Sequence, residues 1–304
     1  MVMSRFSPNT VGSLTMALGT LAYVVNDAFM VSITRGGPGP YQALCMRSVL
    51  LVVVFGVVGR VRGQQLRRHH LCGALWLRTA TEVGGAACFY AALVRLEFAN
   101  IQAIVQVLPL LVTLGAAIVL RERVSVARYA AILTGFVGVL ILVRPTSDAF
   151  SFWSLLAVIT AILLTVREFA TRRIPDETPM LAISWLTAAG LATLTGLLSV
   201  PGGWHGLAPS AWWQLAGAAA ALFCGYLLSI FMVRVGDLSV SAPFRYTNVV
   251  GAVVLGYLVF DQTPDLATWV GGVVIVAAGL WSVRLERRET AGVVTALPGG
   301  GDGG

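Results

Sequence analysis

Residues 122–144 read ERVSVARYAAILTGFVGVLILVR, and residues 261–284 read DQTPDLATWVGGVVIVAAGLWSVR. Each stretch opens on an acid and crosses a short polar loop to an aromatic residue, Tyr129 or Trp269. Each then continues as an apolar, glycine-containing run and closes on an arginine, Arg144 or Arg284. Working outward at a shift of about 140 residues, the correspondence persists. VRLEFANIQA at 94–103 aligns with VRVGDLSVSA at 233–242, and SLTMALGTLAYVVND at 13–27 aligns with SLLAVITAILLTVRE at 154–168, pairing Asp27 with Glu168. The chain reads as a tandem duplication. Each copy holds five apolar runs, and an odd number requires the second copy to enter a bilayer upside down.

Composition names the solvent in which such runs must live. The 304 residues are 57% hydrophobic and 12% charged, with a mean hydropathy of +0.82. That is too little charge to cover a water-soluble globule of this length. Apolar runs of about 20 residues recur along most of the chain, the length that carries a helix across hydrocarbon. They are continuous, whereas strands of a membrane barrel alternate apolar and polar residues over about 10 positions. The expected fold is therefore all-α: a polytopic membrane protein with ten transmembrane helices as a 5+5 inverted repeat.

The spans are placed at 11–34, 41–60, 70–94, 98–120, 126–143, 151–170, 179–200, 210–233, 240–260 and 266–284. Turn-forming stretches separate them, among them GGPGP at 36–40, RPTSD at 144–148, IPDETP at 174–179 and PGGWHG at 201–206. The organisation expected is a cytoplasmic N-terminus at 1–10, a first five-helix repeat at 11–145, a second at 146–288, and a disordered cytoplasmic tail at 289–304 that ends in LPGGGDGG. The first run is long and lacks a small-residue cleavage site, so it is expected to be a retained helix rather than a signal peptide.

All 21 basic residues are arginine, against 14 acids, for a formal charge of +7. They fall in short loops rather than in a stripe with interleaved aromatics, so membrane orientation explains them better than a nucleic-acid partner. Counting alternate loops collects Arg5, Arg60, Arg62, Arg67, Arg68, Arg121, Arg123, Arg128, Arg167, Arg172, Arg173, Arg234, Arg284, Arg287 and Arg288 on one side, leaving Arg35, Arg95 and Arg144 on the other. Both termini are then cytoplasmic in a bacterial inner membrane.

Several chemistries are missing. Without lysine there is no Walker motif and no primary ATP-driven pump within this chain. His69, His70 and His205 all fall in loops, which leaves no intramembrane histidine relay or zinc motif. Cys45, Cys72, Cys88 and Cys224 lie in or beside apolar runs without CxxC spacing and read as reduced packing residues. No metal or other cofactor is expected. A membrane enzyme acting on a lipid is the competing class, since buried acids can serve as general acid or base. A duplicated, inverted architecture favours a secondary transporter, with its site near the midplane where the halves meet.

Charges inside the bilayer cost several kcal/mol unless paired or hydrated, so each is a candidate. Arg78 and Glu82 stand four apart on the third span, at ion-pair spacing. Asp27, preceded by Asn26, lies past the midplane of the first span. Glu168, its repeat mate, is expected to anchor the end of the sixth span beside Arg172 and Arg173, with proton coupling through Asp27 or Glu168 as the alternative. Arg47 is placed to neutralise Asp27 or to meet a substrate carboxylate. Gln102 and Gln106 share a face of the fourth span just before Pro109. Their counterparts lie in Pro243, Phe244, Arg245, Tyr246, Thr247 and Asn248, with Arg245 equivalent to Gln106. A proline among hydrogen-bonding side chains is what a broken helix lining a cavity requires. Phe89, Tyr90, Trp185 and Tyr246 either stack on a flat substrate or pack the core. Trp153, Trp204, Trp212, Trp213, Trp269 and Trp281 lie near span ends, as interface anchors do. AGAAAALFCG at 216–225 and VGGAACF at 83–89 offer small residues for close helix approach.

The same residues carry a family resemblance. QVLPLLVTLGAAIVLRERV at 106–124, AILTGFVGVLILVRP at 131–145 and RVGDLSVSAPFRYTNVVGAVVLGYLVFDQTPD at 234–265 resemble the paired repeats of the drug/metabolite transporter superfamily. Within it the chain is similar to the EamA-type ten-helix exporters, which include aromatic amino-acid exporters. The resemblance implies export of a small metabolite, most naturally an amino acid, by alternating access. A zwitterion would call on one buried cation, Arg47, Arg78 or Arg245, and one buried anion, Asp27 or Glu82. A vitamin, nucleoside-like compound or drug is the other substrate class it allows.

Overall fold

The computed structural model describes residues 8–119, 125–143, 151–235 and 242–296. The elements there are α1 (Pro8–Arg35), α2 (Pro40–Val61), α3 (Gly73–Leu93), α4 (Phe98–Val105), α5 (Leu108–Val119), α6 (Val126–Val143), α7 (Phe152–Thr171), α8 (Met180–Ser199), α9 (Pro209–Val235), α10 (Thr247–Phe260) and α11 (Leu266–Ala296). Two 3-10 turns, Arg68–His70 and Ala242–Tyr246, complete them, and no strand occurs among the described residues. Seven of these segments are long and apolar enough to cross a membrane, and Tyr129–Val143 and Phe244–Phe260 are shorter apolar ones. The remaining expected span is α3, whose apolar run is diluted by Arg78, Thr79, Thr81 and Glu82. His69 and His70 form the first 3-10 turn rather than an open loop.

Local signals fix the helix ends. Pro40 and Pro209 occupy first helical positions, where a missing N–H costs nothing. Ser151 accepts a hydrogen bond from the Trp153 amide at 3.2 Å to cap α7, and Asp265 accepts from the Thr268 amide at 2.9 Å to cap α11. The C-terminus of α10 closes on Asp261 in the left-handed region (φ 57°), a conformation aspartate tolerates better than most residues. Gln262 follows it, and its side-chain oxygen accepts from the Phe98 amide at 3.0 Å, satisfying an orphan donor of α4.

The sequence places a continuous span at 98–120, but the chain folds as α4 and α5 around a break at Gln106 and Val107. Pro109 is the reason: it has no N–H for the carbonyl of Val105, and its ring disfavours a continuous helix. The expected span at 240–260 likewise begins as a 3-10 turn before α10. The first residues of the tail expected from 289 are helical, because α11 runs on to Ala296, and the rest of it lies outside the described residues. Leu285, Glu286, Arg287, Arg288 and Glu289 are strong helix formers, and the proline and glycines that end helices begin only at Pro298.

Packing pairs helices across the duplication: α1 lies most extensively against α9, α2 against α8, α3 against α7 and α6 against α11. Small residues make the close approaches. A methyl on Gly271 would come within 2.9 Å of the Gly138 carbonyl, and one on Gly138 within 3.0 Å of the Gly271 carbonyl, so α6 and α11 meet backbone to backbone. In the small-residue runs, Gly217 and Gly225 seat α9 on α1, and Gly84 and Gly85 seat α3 on α7. Cys45 is buried and its thiol meets the Ala192 carbonyl at 3.3 Å, and none of the four cysteines is in a disulfide. The exterior remains apolar. Leu18, Val57, Leu133, Leu140, Leu258 and Val273 are each more than half exposed, a surface that hydrocarbon satisfies and water would not. The chain is a multi-pass membrane protein.

Candidate functional site

Two polar groups interrupt this apolar interior, and α3 contributes to both. The first gathers residues from α1, α2, α3 and α4. Tyr90 stands at its centre: its hydroxyl donates to Asp27 Oδ1 at 2.7 Å and accepts from Arg47 Nη1 at 2.7 Å and from Asn26 Nδ2 at 3.0 Å. Asn26 also donates to Asp27 Oδ1 at 2.9 Å and accepts from Arg47 Nη1 at 3.0 Å. Gln102 Nε2 donates to the other carboxylate oxygen, Asp27 Oδ2, at 2.8 Å. Asn26, Arg47, Tyr90 and Gln102 are buried and Asp27 partly so. The Arg47 guanidinium lies 5.3 Å from the Tyr90 ring centre. Of the two roles open to Arg47 in the sequence, the structure displays the internal one: its charge reaches Asp27 through Tyr90 and Asn26. Its Nε is buried without a hydrogen-bond partner.

The second group lies about 12 Å farther along α3, the rise of the eight residues from Tyr90 back to Glu82. Arg78 Nη2 stands 2.7 Å from Glu82 Oε2, an ion pair without hydrogen-bond alignment. Arg78 Nη1 donates to Thr187 Oγ1 on α8 at 2.7 Å. From α7, Arg167 donates to Glu82 Oε1 at 3.2 Å and pairs closely with Glu168. Two guanidiniums and two carboxylates thus alternate, so the group is close to neutral. Three of its side chains are partly open, Arg167 at 23%, Glu82 at 24% and Glu168 at 28% exposure, while Arg78 is buried.

Glu168 is a correction. The sequence favours an anchoring contact with Arg172 and Arg173, whereas the carboxylate pairs with Arg167, and the Arg172 guanidinium lies over the Phe169 ring. Arg167 is the residue that sequence reasoning missed. Counting loop arginines assigns it to the cytoplasmic edge, yet it sits inside α7, a full turn before Thr171, and its one legible signal is the repeat alignment that puts it beside Glu168 opposite Asn26 and Asp27. Thr187 carried no signal at all.

The two helix breaks touch: Gln106 Nε2 donates to the Arg245 carbonyl at 3.1 Å. The Arg245 side chain is exposed and near enough to Glu168 for the charges to interact. The remaining candidates are not drawn into either polar group. Trp185 packs against Gly56 of α2 in a side cluster with Phe55 and Tyr226. Tyr246 is buried over Gly279 of α11 and lines an apolar groove of about 460 Å³ between α4, α10 and α11. Asn248 Oδ1 is buried without a partner.

A half-open cavity of about 430 Å³ stands over the first group, where α1 ends and α2 begins. Its floor includes Val31, Leu93 and Phe98, all buried, at 6%, 2% and 1% exposure. Each lies one turn beyond a polar partner on its own helix: Asp27 on α1, Tyr90 on α3 and Gln102 on α4. These residues give the vestibule an apolar floor on the side of the Asp27 carboxylate. No group of histidines, cysteines and acids able to hold a metal occurs among the described residues.

Known proteins supply the context for this arrangement. The chain is 28% identical to a riboflavin transporter of Vibrio cholerae, over 91% of this chain and 96% of that one. It is 31% identical to a riboflavin transporter of Rhizobium johnstonii, over 92% and 93%. A solved structure superposes with a TM-score of 0.62 at 22% identity, covering 91% of this chain and 99% of that chain, which is a likeness of fold. Residues 3–144 and again 151–284 match the EamA-like transporter family. A duplicated, apolar helical bundle with paired charges at its centre is thus a member of the EamA-like transporter family.

Proposed function

We propose that the chain is a secondary transporter of ten spans in two inverted halves, 11–145 and 146–288, that carries a small polar organic solute by alternating access. The observation that carries this reading is the pair of polar groups, one around Asp27 and one around Glu168, built on repeat-equivalent acids and separated by a helical rise on α3. The two successive family matches support the duplication. So does the packing, because exchanging the halves turns the α1–α9 contact into the α7–α3 contact and leaves α2–α8 and α6–α11 unchanged. The first group lies under the apolar floor of the vestibule and the second is partly open, which is consistent with a state closed at the vestibule and open at the opposite, cytoplasmic end.

The solute is a flat, hydrogen-bonding ring system of the riboflavin kind, a reading supported by similarity to the two riboflavin transporters above. Amino-acid export, the expectation from resemblance, is the second reading, favoured by Arg245 and Glu168, which offer a cation and an anion within reach of each other. Counterflow in proteoliposomes with radiolabelled riboflavin, phenylalanine and tyrosine tests both. Riboflavin exchange that is lost in Asp27→Asn and Glu168→Gln is the expected result. Exchange of the amino acids alone selects the second reading, and exchange of none removes both. Export is the direction proposed, and loading solute inside or outside the vesicles under an imposed pH gradient reads direction and proton coupling together.

A further inference from the structure

The vestibule over the first polar group has a chemistry of its own. It is lined by Thr34 and Arg35 at the end of α1, by Arg95, Glu97 and Phe98 between α3 and α4, and by Gln262 after α10. Two of these are guanidiniums, and each is held by an aromatic ring rather than by an acid. Arg35 stands 4.5 Å from the Phe260 ring centre and Arg95 stands 5.4 Å from the Trp153 ring centre. Phe260 is in turn braced by Phe98, with ring centres 5.4 Å apart. A guanidinium stacked by its face keeps its five N–H donors in the plane, free at the edge for a bidentate anion. Among the described residues neither arginine donates to a protein acceptor, and both are exposed. Glu97, the acid of the vestibule, is already engaged.

Membrane orientation does not explain these residues. On the proposed topology this end faces away from the cytoplasm, where arginine is disfavoured. Arg35, Arg95 and Arg144 are the arginines assigned there, and two of them border the same cavity. About 430 Å³ falls within the range of small-molecule sites. The rim is open by construction, since a methyl on Gly37 or Gly39 would meet nothing within 4 Å.

We infer that this vestibule is a binding site for a small organic anion, a carboxylate or phosphate held between Arg35 and Arg95, separate from the Asp27 and Glu168 groups. The proposal does not depend on which solute crosses the membrane, because binding is measured without a gradient.

The test is calorimetric titration of the full chain in nanodiscs of neutral lipid with phenol, benzoate and phenyl phosphate, which share a ring and differ in charge. At least one anion binds about tenfold more tightly than phenol, the increment expected of charge-assisted hydrogen bonds, and the ratio of benzoate to phenyl phosphate names the preferred group. Arg35→Gln, Arg95→Gln and the double variant reduce that preference stepwise toward one, whereas Arg62→Gln, an exposed arginine at the far end of α2, retains it. Should a single variant misfold, the other single variant reads the same loss. Equal affinities for all three probes, a preference that survives the double variant, or a preference abolished by Arg62→Gln overturns the assignment. Displacement of phenyl phosphate by anionic phosphatidylglycerol in the nanodisc would give the site to a lipid headgroup and overturn it as a solute site.

Discussion

Tyr90 does the most with a single atom. Its hydroxyl donates to Asp27 while accepting from Arg47 and Asn26, so it joins a buried cation to a part-buried anion. Tyr90→Phe keeps the ring and its packing but leaves both charges short of a partner, at a cost of about 1–3 kcal/mol for each unsatisfied group. We expect a lower unfolding temperature in detergent and at least a tenfold loss of transport rate in proteoliposomes. Wild-type rates in that variant would show that the hydroxyl has no functional part. The second group makes a different prediction, because its charges balance. Glu82→Gln strands the positive charge of Arg78, while Arg167 keeps Glu168, and leaving a charge without its partner in a part-buried setting costs about 1–3 kcal/mol. The double variant Arg78→Gln with Glu82→Gln removes one charge of each sign. It is expected to be more thermostable than either single variant in a double-mutant cycle, and simple additivity of the two losses would argue against pairing.

Breaks and close approaches, rather than lengths, distinguish the helices. Pro109 separates α4 from α5 and leaves Gln106 at the break, where it reaches the Arg245 carbonyl across the duplication. Pro109→Ala restores the missing N–H and permits a continuous helix, removing an interior proline defect worth about 3 kcal/mol. The expected outcome is equal or greater thermal stability with impaired transport, and unimpaired transport would show that the break is incidental. At the α6–α11 contact the backbone itself is the neighbour. Gly271→Ala forces a methyl against the Gly138 carbonyl and the Leu142 side chain, an overpacking penalty of about 1–3 kcal/mol. Thermal unfolding should register it, while the same substitution at Gly39, which faces open space, should not.

In the proposed transport cycle, the apolar floor of the vestibule, with Val31, Leu93 and Phe98 in it, is the barrier above the Asp27 group, so Phe98→Ala is expected to open it. In a background with the four native cysteines replaced by serine, a cysteine at Asn26 should be protected from a membrane-impermeant thiol reagent applied at the vestibule side. It should become reactive once Phe98→Ala is added. Protection that persists would place the barrier elsewhere. Tags on the two termini test the inverted arrangement independently, because ten spans leave both tags on one face.

Some of this was legible in the amino acids. Continuous apolar runs require helices in hydrocarbon, since no water is present there to satisfy a backbone, and a shift of about 140 residues exposes the duplication. Those properties are local or periodic, so the order of residues carries them, and the spacing of Arg78 to Glu82 and the proline at 109 carried their consequences in the same way. Partnership across the bundle is another matter. That Tyr90 lies between Asp27 and Arg47, that Arg167 belongs with Glu82 rather than with the loop arginines, and that Arg35 and Arg95 share one cavity all depend on how far-separated helices turn and tilt against each other. That geometry is set by glycine contacts such as Gly138 with Gly271, and by which face each helix buries, and neither can be read from one helix alone.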